Sequence, residues 1–552
     1  MLKKLLGGVF ALLMFDAAPG FAQNCIPTFN SIGIYWSPGS GSATNECQVQ
    51  YRVNGTQEWH QGLPLWYDDR NNQYRGSIVN LHPGTLYEVQ LNLKASSEKE
   101  TYSVSTWSED FPIAKTVYLP SNSAETYTID QSGSSEGYVL YTHRPGAQAT
   151  IDVKGSRDYG INIAPNTSYV IIRGLTIIGP KVHGINIGGN SHDVVIEQND
   201  ISNWGSANQE GWAINYHAAI YAKSKSIKRI IIQRNKLHHP RADANSWGEL
   251  RQDRNTYHPG GAHGVCFVDT EGNHVIRYND IYSDEEHYFC DGLGGSTDYS
   301  FEGFPNKDSD IYGNSISHCW DDGIESEGGN QNVRIWGNHI DKTFVKIAIA
   351  STSKGPLYIY RNVAGSSRRN ATETDSDVYG RGPFIKAGGK TRKQNIFFGG
   401  GRTYIFHNTI MQPEASGKKY TLGGASAIQS SGGKLFNAVS RNNIFLTYKP
   451  TGSIIIDNTG SCDNDFNYDL FNGKVKQQCA DRPHQQQGIR LSPNEMPQFG
   501  DSYFLQTGSR GINQATAIPN FNQHYSGKGP DMGAFEQGMA PLEFGTKAYL
   551  KN

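Results

Sequence analysis

"VRIWGNHI", Val333 to Ile340, and "LYIYRNVA", Leu357 to Ala364, carry one pattern 24 residues apart. Each is a short strand-like run with an apolar residue at its centre, followed by Asn and a second short strand. The pattern recurs in "VVIEQNDI", "IIIQRNKL", "HVIRYNDI", "SDIYGNSI", "TYIFHNTI" and "NAVSRNNI". Its asparagines are Asn199, Asn235, Asn279, Asn314, Asn338, Asn362, Asn408 and Asn443, with successive separations of 36, 44, 35, 24, 24, 46 and 35 residues. The shortest separation is one bare coil, and the longer ones are coils carrying inserted loops. A single coil cannot bury its inward residues, so coils must stack to close a core. An Asn at one place in every coil can ladder its amides and tolerates a left-handed bend.

This periodicity resembles a right-handed parallel β-helix from about residue 113 to the end of the chain, an all-β fold. Single strands on a 24-residue coil argue against a propeller, whose blades need about 40–50 residues and hairpins. "GKGPDMGAFE", Gly527 to Glu536, resembles the closing segment of many such helices.

The rest of the chain bounds the setting. It has 552 residues, 62 glycines and a formal net charge of -2, which excludes a globally basic nucleic-acid binder. Residues 1–22 read as a signal peptide: Lys3 and Lys4, an apolar run from Leu5 to Phe15, then small residues. That run is too short to span a bilayer. A secreted or periplasmic monomer is therefore expected, with no membrane partner. Seven cysteines sit in a disulfide-permissive setting. Proximity suggests Cys25 with Cys47 and Cys462 with Cys479, and the lack of any CxxC pair argues against a cysteine zinc site.

Residues 23–112 alternate apolar and polar in short runs separated by turns, as in an antiparallel sandwich. "LHPGTLYEVQLNL", Leu81 to Leu93, resembles the fibronectin type III signature, with Trp36 and Tyr51 matching its core aromatics. The resemblance implies a spacer or packing partner, and no chemistry is assigned to it. The helix is expected over residues 113–552.

A second series follows the asparagines: "HGINI" at His183, "HAAIYA" at His217, "HGVCF" at His263, "DGLGG" at Asp291, "DGIES" at Asp322 and "KIAIA" at Lys346. Stacked in register, adjacent members lie about 4.8 Å apart on one face. The long loops "WGSANQEGWAINY" and "HHPRADANSWGELRQDRNTYHPGG" leave the stack on that side and can wall a cleft. Asp291 and Asp322 then approach each other with Asp321 beside them. Carboxylates so close cannot all ionise, and one pKa must rise. A protonated carboxyl beside an ionised one is what glycoside hydrolysis requires.

"FCDGLGGS" and "DDGIESEGGN" resemble, in order, the two aspartate motifs of the polygalacturonase family of glycoside hydrolases. That resemblance implies catalytic roles for Asp291, Asp321 and Asp322, the first as acid and the others positioning and activating water. Two of the family's motifs, G-H-G and R-I-K, are missing, so His263 or His318 is expected to substitute. Glu325 is a reserve acid, with Glu327 beside it on the strand.

Between Arg334 and Arg402 there are thirteen Lys or Arg against four acids. That excess points to a polyanionic ligand, with Lys346, Arg368, Arg369, Arg381, Lys386 and Arg392 as candidate contacts. His217, His318 and Glu327 are further substrate-binding candidates, and Trp204, Trp212, Trp247 and Trp320 are candidate sugar platforms. The expected function is endo-acting hydrolysis of an acidic polysaccharide, uronate-rich or sulfated like fucan or carrageenan, without a cofactor. Two alternatives stand beside it. One is a polysaccharide lyase whose acid cluster holds calcium and whose base is Lys or Arg; the other is a non-catalytic glycan-binding surface protein.

Overall fold

The computed structural model describes residues 24–367, 382–391, 395–412, 427–430, 434–447, 454–457, 461–476, 483–492, 495, 499 and 503–550. The signal-peptide reading, Arg368, Arg369, Arg381, Arg392 and Cys479 lie outside these residues.

The repeated isoleucines explain the architecture. Ile172, Ile196, Ile232, Ile276, Ile311, Ile335, Ile359 and Ile405 are register partners on successive parallel strands. All are fully buried in one continuous core. Burying each such side chain contributes about 1.5–3 kcal/mol, obtained only once a neighbouring coil covers it. These strands belong to a twelve-stranded parallel sheet running from Ile113–Tyr118 to Asp465–Phe466. A second, 23-stranded parallel sheet wraps the remaining sides. The described residues contain no α-helix. The coils thus wind into a parallel β-helix.

The corner after each isoleucine is held by the asparagine ladder. Asn314 accepts from Asn279, Asn338 from Asn314 and Asn362 from Asn338, each through Oδ1 at 2.9 Å from the amide nitrogen of the preceding side chain. Each amide also donates to an isoleucine carbonyl one coil earlier, as Asn338 does to Ile311 at 3.0 Å. The left-handed residue is not the asparagine but the one before it: Gln198, Arg234, Tyr278, Gly313, Gly337, Arg361, His407 and Asn442 all have positive φ. The ladder ends on a carboxylate, because Asp469 Oδ1 accepts from Asn443 Nδ2 at 2.8 Å.

At the N-terminus two four-stranded antiparallel sheets face each other. Trp36 and Tyr51 lie in their shared core. Cys25 and Cys47 are free thiols, not a bridge. They lie in opposite sheets, where burial pushes both thiols up to about 12. Cys462 is disulfide-bonded.

The sandwich is docked on the outer face of the twelve-stranded sheet. Tyr35 donates to Asp308 Oδ1 at 2.7 Å, Tyr312 to Asn30 Oδ1 at 2.8 Å, and Arg70 Nη1 to the Ser353 carbonyl at 2.7 Å. Thr28 donates to Asp310, which also pairs with Arg334 at 2.7 Å. The sandwich therefore lies on this sheet, whereas the two long loops, residues 203–217 and 239–262, join strands of the 23-stranded sheet.

Candidate active site

Glycine builds the site's floor. Gly160, Gly184, Gly264, Gly292 and Gly323 follow Tyr159, His183, His263, Asp291 and Asp322. A Cβ on any of them would meet the Cγ2 of an inward isoleucine: Ile177, Ile201, Ile281, Ile316 or Ile340. Backbones therefore approach the core closely here. The pairing of adjacent strands aligns the residue before each glycine, giving Tyr159, His183, Ala218, His263, Asp291, Asp322 and Val345.

Two expected members are displaced from this column. Ala218, not His217, is the partner of His263. His217 lies half-buried one residue earlier, where its Nδ1 accepts from the Ser206 amide at 3.2 Å and burial lowers it to about 4. Lys346 is also out of register. Cys319 pairs with Thr343 but Asp322 with Val345, so a bulge drops one residue between them. Lys346 instead falls in the glycine column and is fully buried, its Nζ donating to the carbonyls of Thr343 at 2.9 Å and Ser366 at 2.7 Å. Burial pushes its pKa down to about 7. It is not presented as a cation for substrate.

The aspartates do converge. Oxygens of Asp291, Asp321 and Asp322 lie within 4.8 Å of one another, and all three residues are buried. Asp291 Oδ1 accepts the backbone N–H of Asp322 at 2.9 Å. Burial, then the charge of Asp321, pushes Asp291 up to about 7. Asp322 is raised by the same two causes, and Lys386 opposes that rise, its Nζ 2.7 Å from Asp322 Oδ2. Burial disfavours the Lys386 ammonium, but Asp322, Glu327, Asp321 and Glu325 outweigh it and hold the group protonated. Lys386 is thus internally engaged, also approaching Glu327 Oε1 at 3.5 Å. Asp321 Oδ1 and Asp322 Oδ1 are buried acceptors with no protein donor.

Glu325 and Glu327 form a second acidic group with Asp298, again within 4.8 Å. Glu325 Oε2 accepts from the Gly295 amide at 3.1 Å, and Glu327 Oε1 from Ala350 at 3.1 Å. Burial raises both carboxyls; Asp291 and Glu327 add to the rise of Glu325. His263 is fully buried with Nδ1 3.7 Å from Asp291 Oδ2. His318 is at the bulge with φ 65°, bonded through Nδ1 to Ser317 Oγ at 2.9 Å. Trp320 is not a sugar platform: it is buried and stacked on Tyr288 at 4.0 Å. Trp204 is likewise core.

The loops supply residues that strand alignment could not find. Arg251, buried, ties them together by donating to the carbonyls of Ala213 at 3.0 Å and Gly260 at 2.7 Å. His258 then places Nε2 3.5 Å from Asp321 Oδ2, with Trp247 packed on its ring at 4.8 Å. Tyr216, exposed, covers His263 at 5.4 Å between ring centres. The one available signal was "YHPGG", a histidine braked by Pro-Gly-Gly just before the His263 strand.

A family model described as a right handed beta helix region matches residues 159–364. The matched span holds every described site residue except Lys386. Among curated proteins none matches the chain.

Proposed function

We propose that this acidic cluster hydrolyses glycosidic bonds in a polysaccharide, with Asp291 as general acid and Asp322 as the ionised partner. The observation that carries this reading is the unequal surroundings of two carboxyls within 4.8 Å of each other. Asp322 has the Lys386 ammonium at 2.7 Å. Asp291 has no cation in contact: it accepts the Asp322 backbone N–H and the Cys290 thiol, and His263 Nδ1 stands 3.7 Å away. Both carboxyls are raised, so the pair holds a proton, and the Lys386 ammonium beside Asp322 favours leaving that proton on Asp291. An Asp291 at about 7 is protonated near neutral pH and can donate to a leaving glycosidic oxygen. The open acceptors Asp321 Oδ1 and Asp322 Oδ1 suit the orientation and activation of a water, with His258 bearing on Asp321.

The lyase alternative is less well supported. It needs an unprotonated base, but Lys386 is held charged by four carboxylates and Lys346 is sealed against two carbonyls. What favours it is the Asp298–Glu325–Glu327 group, which has the oxygen donors calcium prefers.

The proposed substrate is an acidic polymer, uronate-rich or sulfated, reached outside the cell after export. This rests on the excess of Lys and Arg between Arg334 and Arg402 in the sequence. A panel of uronate, fucan, carrageenan and neutral polysaccharides tests it. Reducing ends without ultraviolet-absorbing unsaturated ends support hydrolysis. Unsaturated ends would establish the lyase, and cleavage of neutral polymers alone would sink the acidic substrate. Binding without any cleavage would leave a glycan-binding protein.

A further inference from the structure

His263 raises a question that proton transfer alone leaves open. Its side chain is 1% exposed, and neither ring nitrogen has a protein hydrogen-bond partner. Buried polar atoms in folded proteins are rarely left so. Asp291 Oδ2 is 3.7 Å from Nδ1, too far for a hydrogen bond. It is, however, close to the separation of about 3.4 Å expected for N and O ligands of one tetrahedral ion.

A third donor completes the set. His263 and Asp291 are register partners on adjacent coils, and Cys290 immediately precedes Asp291. One ligand atom from each of the three lies within 4.8 Å of the others. We infer that His263, Cys290 and Asp291 form a binding site for a borderline-soft divalent cation of the zinc class. Nitrogen, thiolate and carboxylate from three residues match zinc and exclude calcium, which takes oxygen. Three protein ligands leave a fourth position, and Asp291 also belongs to the Asp321–Asp322 group. Both imidazole nitrogens are buried without a partner, so either can turn its lone pair to a metal. Binding releases the Cys290 thiol proton, and any proton on Asp291, to solvent. No CxxC spacing announces the site, because stacking of coils rather than a sequence motif assembles it.

The inference shares Asp291 with the hydrolytic reading but does not rest on it, so its test uses no glycan. The full mature chain, stripped with chelator, is titrated with Co²⁺ and then Zn²⁺. The expected result is one equivalent of Co²⁺ with a near-ultraviolet thiolate-to-metal absorption that Zn²⁺ abolishes. Among the described residues no other metal-capable group contains a cysteine, so the band reports Cys290. Cys290→Ser should remove the band, and His263→Gln should weaken binding at least tenfold. A wild-type chain that shows no thiolate band overturns the site, whether or not the variants fold. A band that persists in Cys290→Ser overturns it equally. If zinc binds as expected, a chain saturated with it should also lose hydrolysis, since Asp291 can no longer hold a proton.

Discussion

Lys386 and Asp322 form a buried ion pair, Nζ to Oδ2 at 2.7 Å, although 64 residues separate them. The lysine reaches Asp322 from two coils away: Lys386 stacks over Ala348, which stacks over Glu325. It is the cation that makes the crowded carboxyls tolerable.

Removing that cation should therefore hurt stability in a pH-dependent way. In Lys386→Met, Asp322 and Glu327 lose their counter-charge, and breaking a buried pair costs about 3–5 kcal/mol. Their folded pKa values rise further above those of the unfolded chain. The folded state then binds more protons, and stability falls as pH rises above the unfolded carboxylate values. Urea unfolding should show a small deficit near pH 4 and a large one near pH 8. A deficit independent of pH would contradict the pairing.

Asp291 carries a separate pH signature. Its folded pKa, about 7, lies above the unfolded value of about 3.9. Its contribution to stability is present below pH 4 and is lost as pH rises through 7. Asp291→Asn should flatten that part of the stability profile while lowering turnover by about 10²- to 10⁴-fold. Wild-type turnover should decline on the alkaline side of about pH 7, where the acid loses its proton. Full turnover in Asp291→Asn, measured as reducing ends, would remove it from the mechanism.

What the sequence disclosed divides along physical lines. The isoleucine and asparagine rows are legible because every coil repeats them, so an error in one coil is corrected by the next. The site is not repeated, and its alignment depends on counting residues through single coils. Asp291 and Asp322 align correctly because each opens an Asp-Gly step whose glycine must sit over an isoleucine. Lys346 fails because counting 24 from Asp322 ignores the bulge after Cys319, which makes that step 23, to Val345. One residue of slip exchanges faces. Coil counting could not place His258 and Tyr216, since loop residues follow no coil period.

The asparagine ladder allows a clean packing test. Asn338 Oδ1 accepts from the backbone N–H of Asn314 at 3.1 Å and from its side chain at 2.9 Å, while its own amide donates to Ile311 and Asn362. Asn338→Ala strands these buried groups and should cost about 2–5 kcal/mol, several unsatisfied partners at about 1–3 each with partial relaxation. Urea unfolding that shows a loss below 1 kcal/mol would mean that the ladder is ornamental to stability.

The sandwich is expected to unfold with the helix, not as a spacer. Asp310 and Arg334 have fully buried side chains, and Asp310 also accepts from Thr28 of the sandwich. Arg334 in turn donates from Nη1 to Ser77 Oγ of the sandwich at 3.4 Å, so the pair links the two parts at their contact. In Asp310→Ala the guanidinium remains buried without its carboxylate, a loss of about 3–5 kcal/mol. Thr28→Val removes only one donor to Asp310 and should cost less, about 0.5–2 kcal/mol. Because the interface couples the two parts, calorimetry of the wild type should show one transition, and Asp310→Ala should either lower it as a whole or split off an early sandwich transition. Two well-separated transitions already present in the wild type, unmoved by Asp310→Ala, would show that the sandwich is only tethered to the helix.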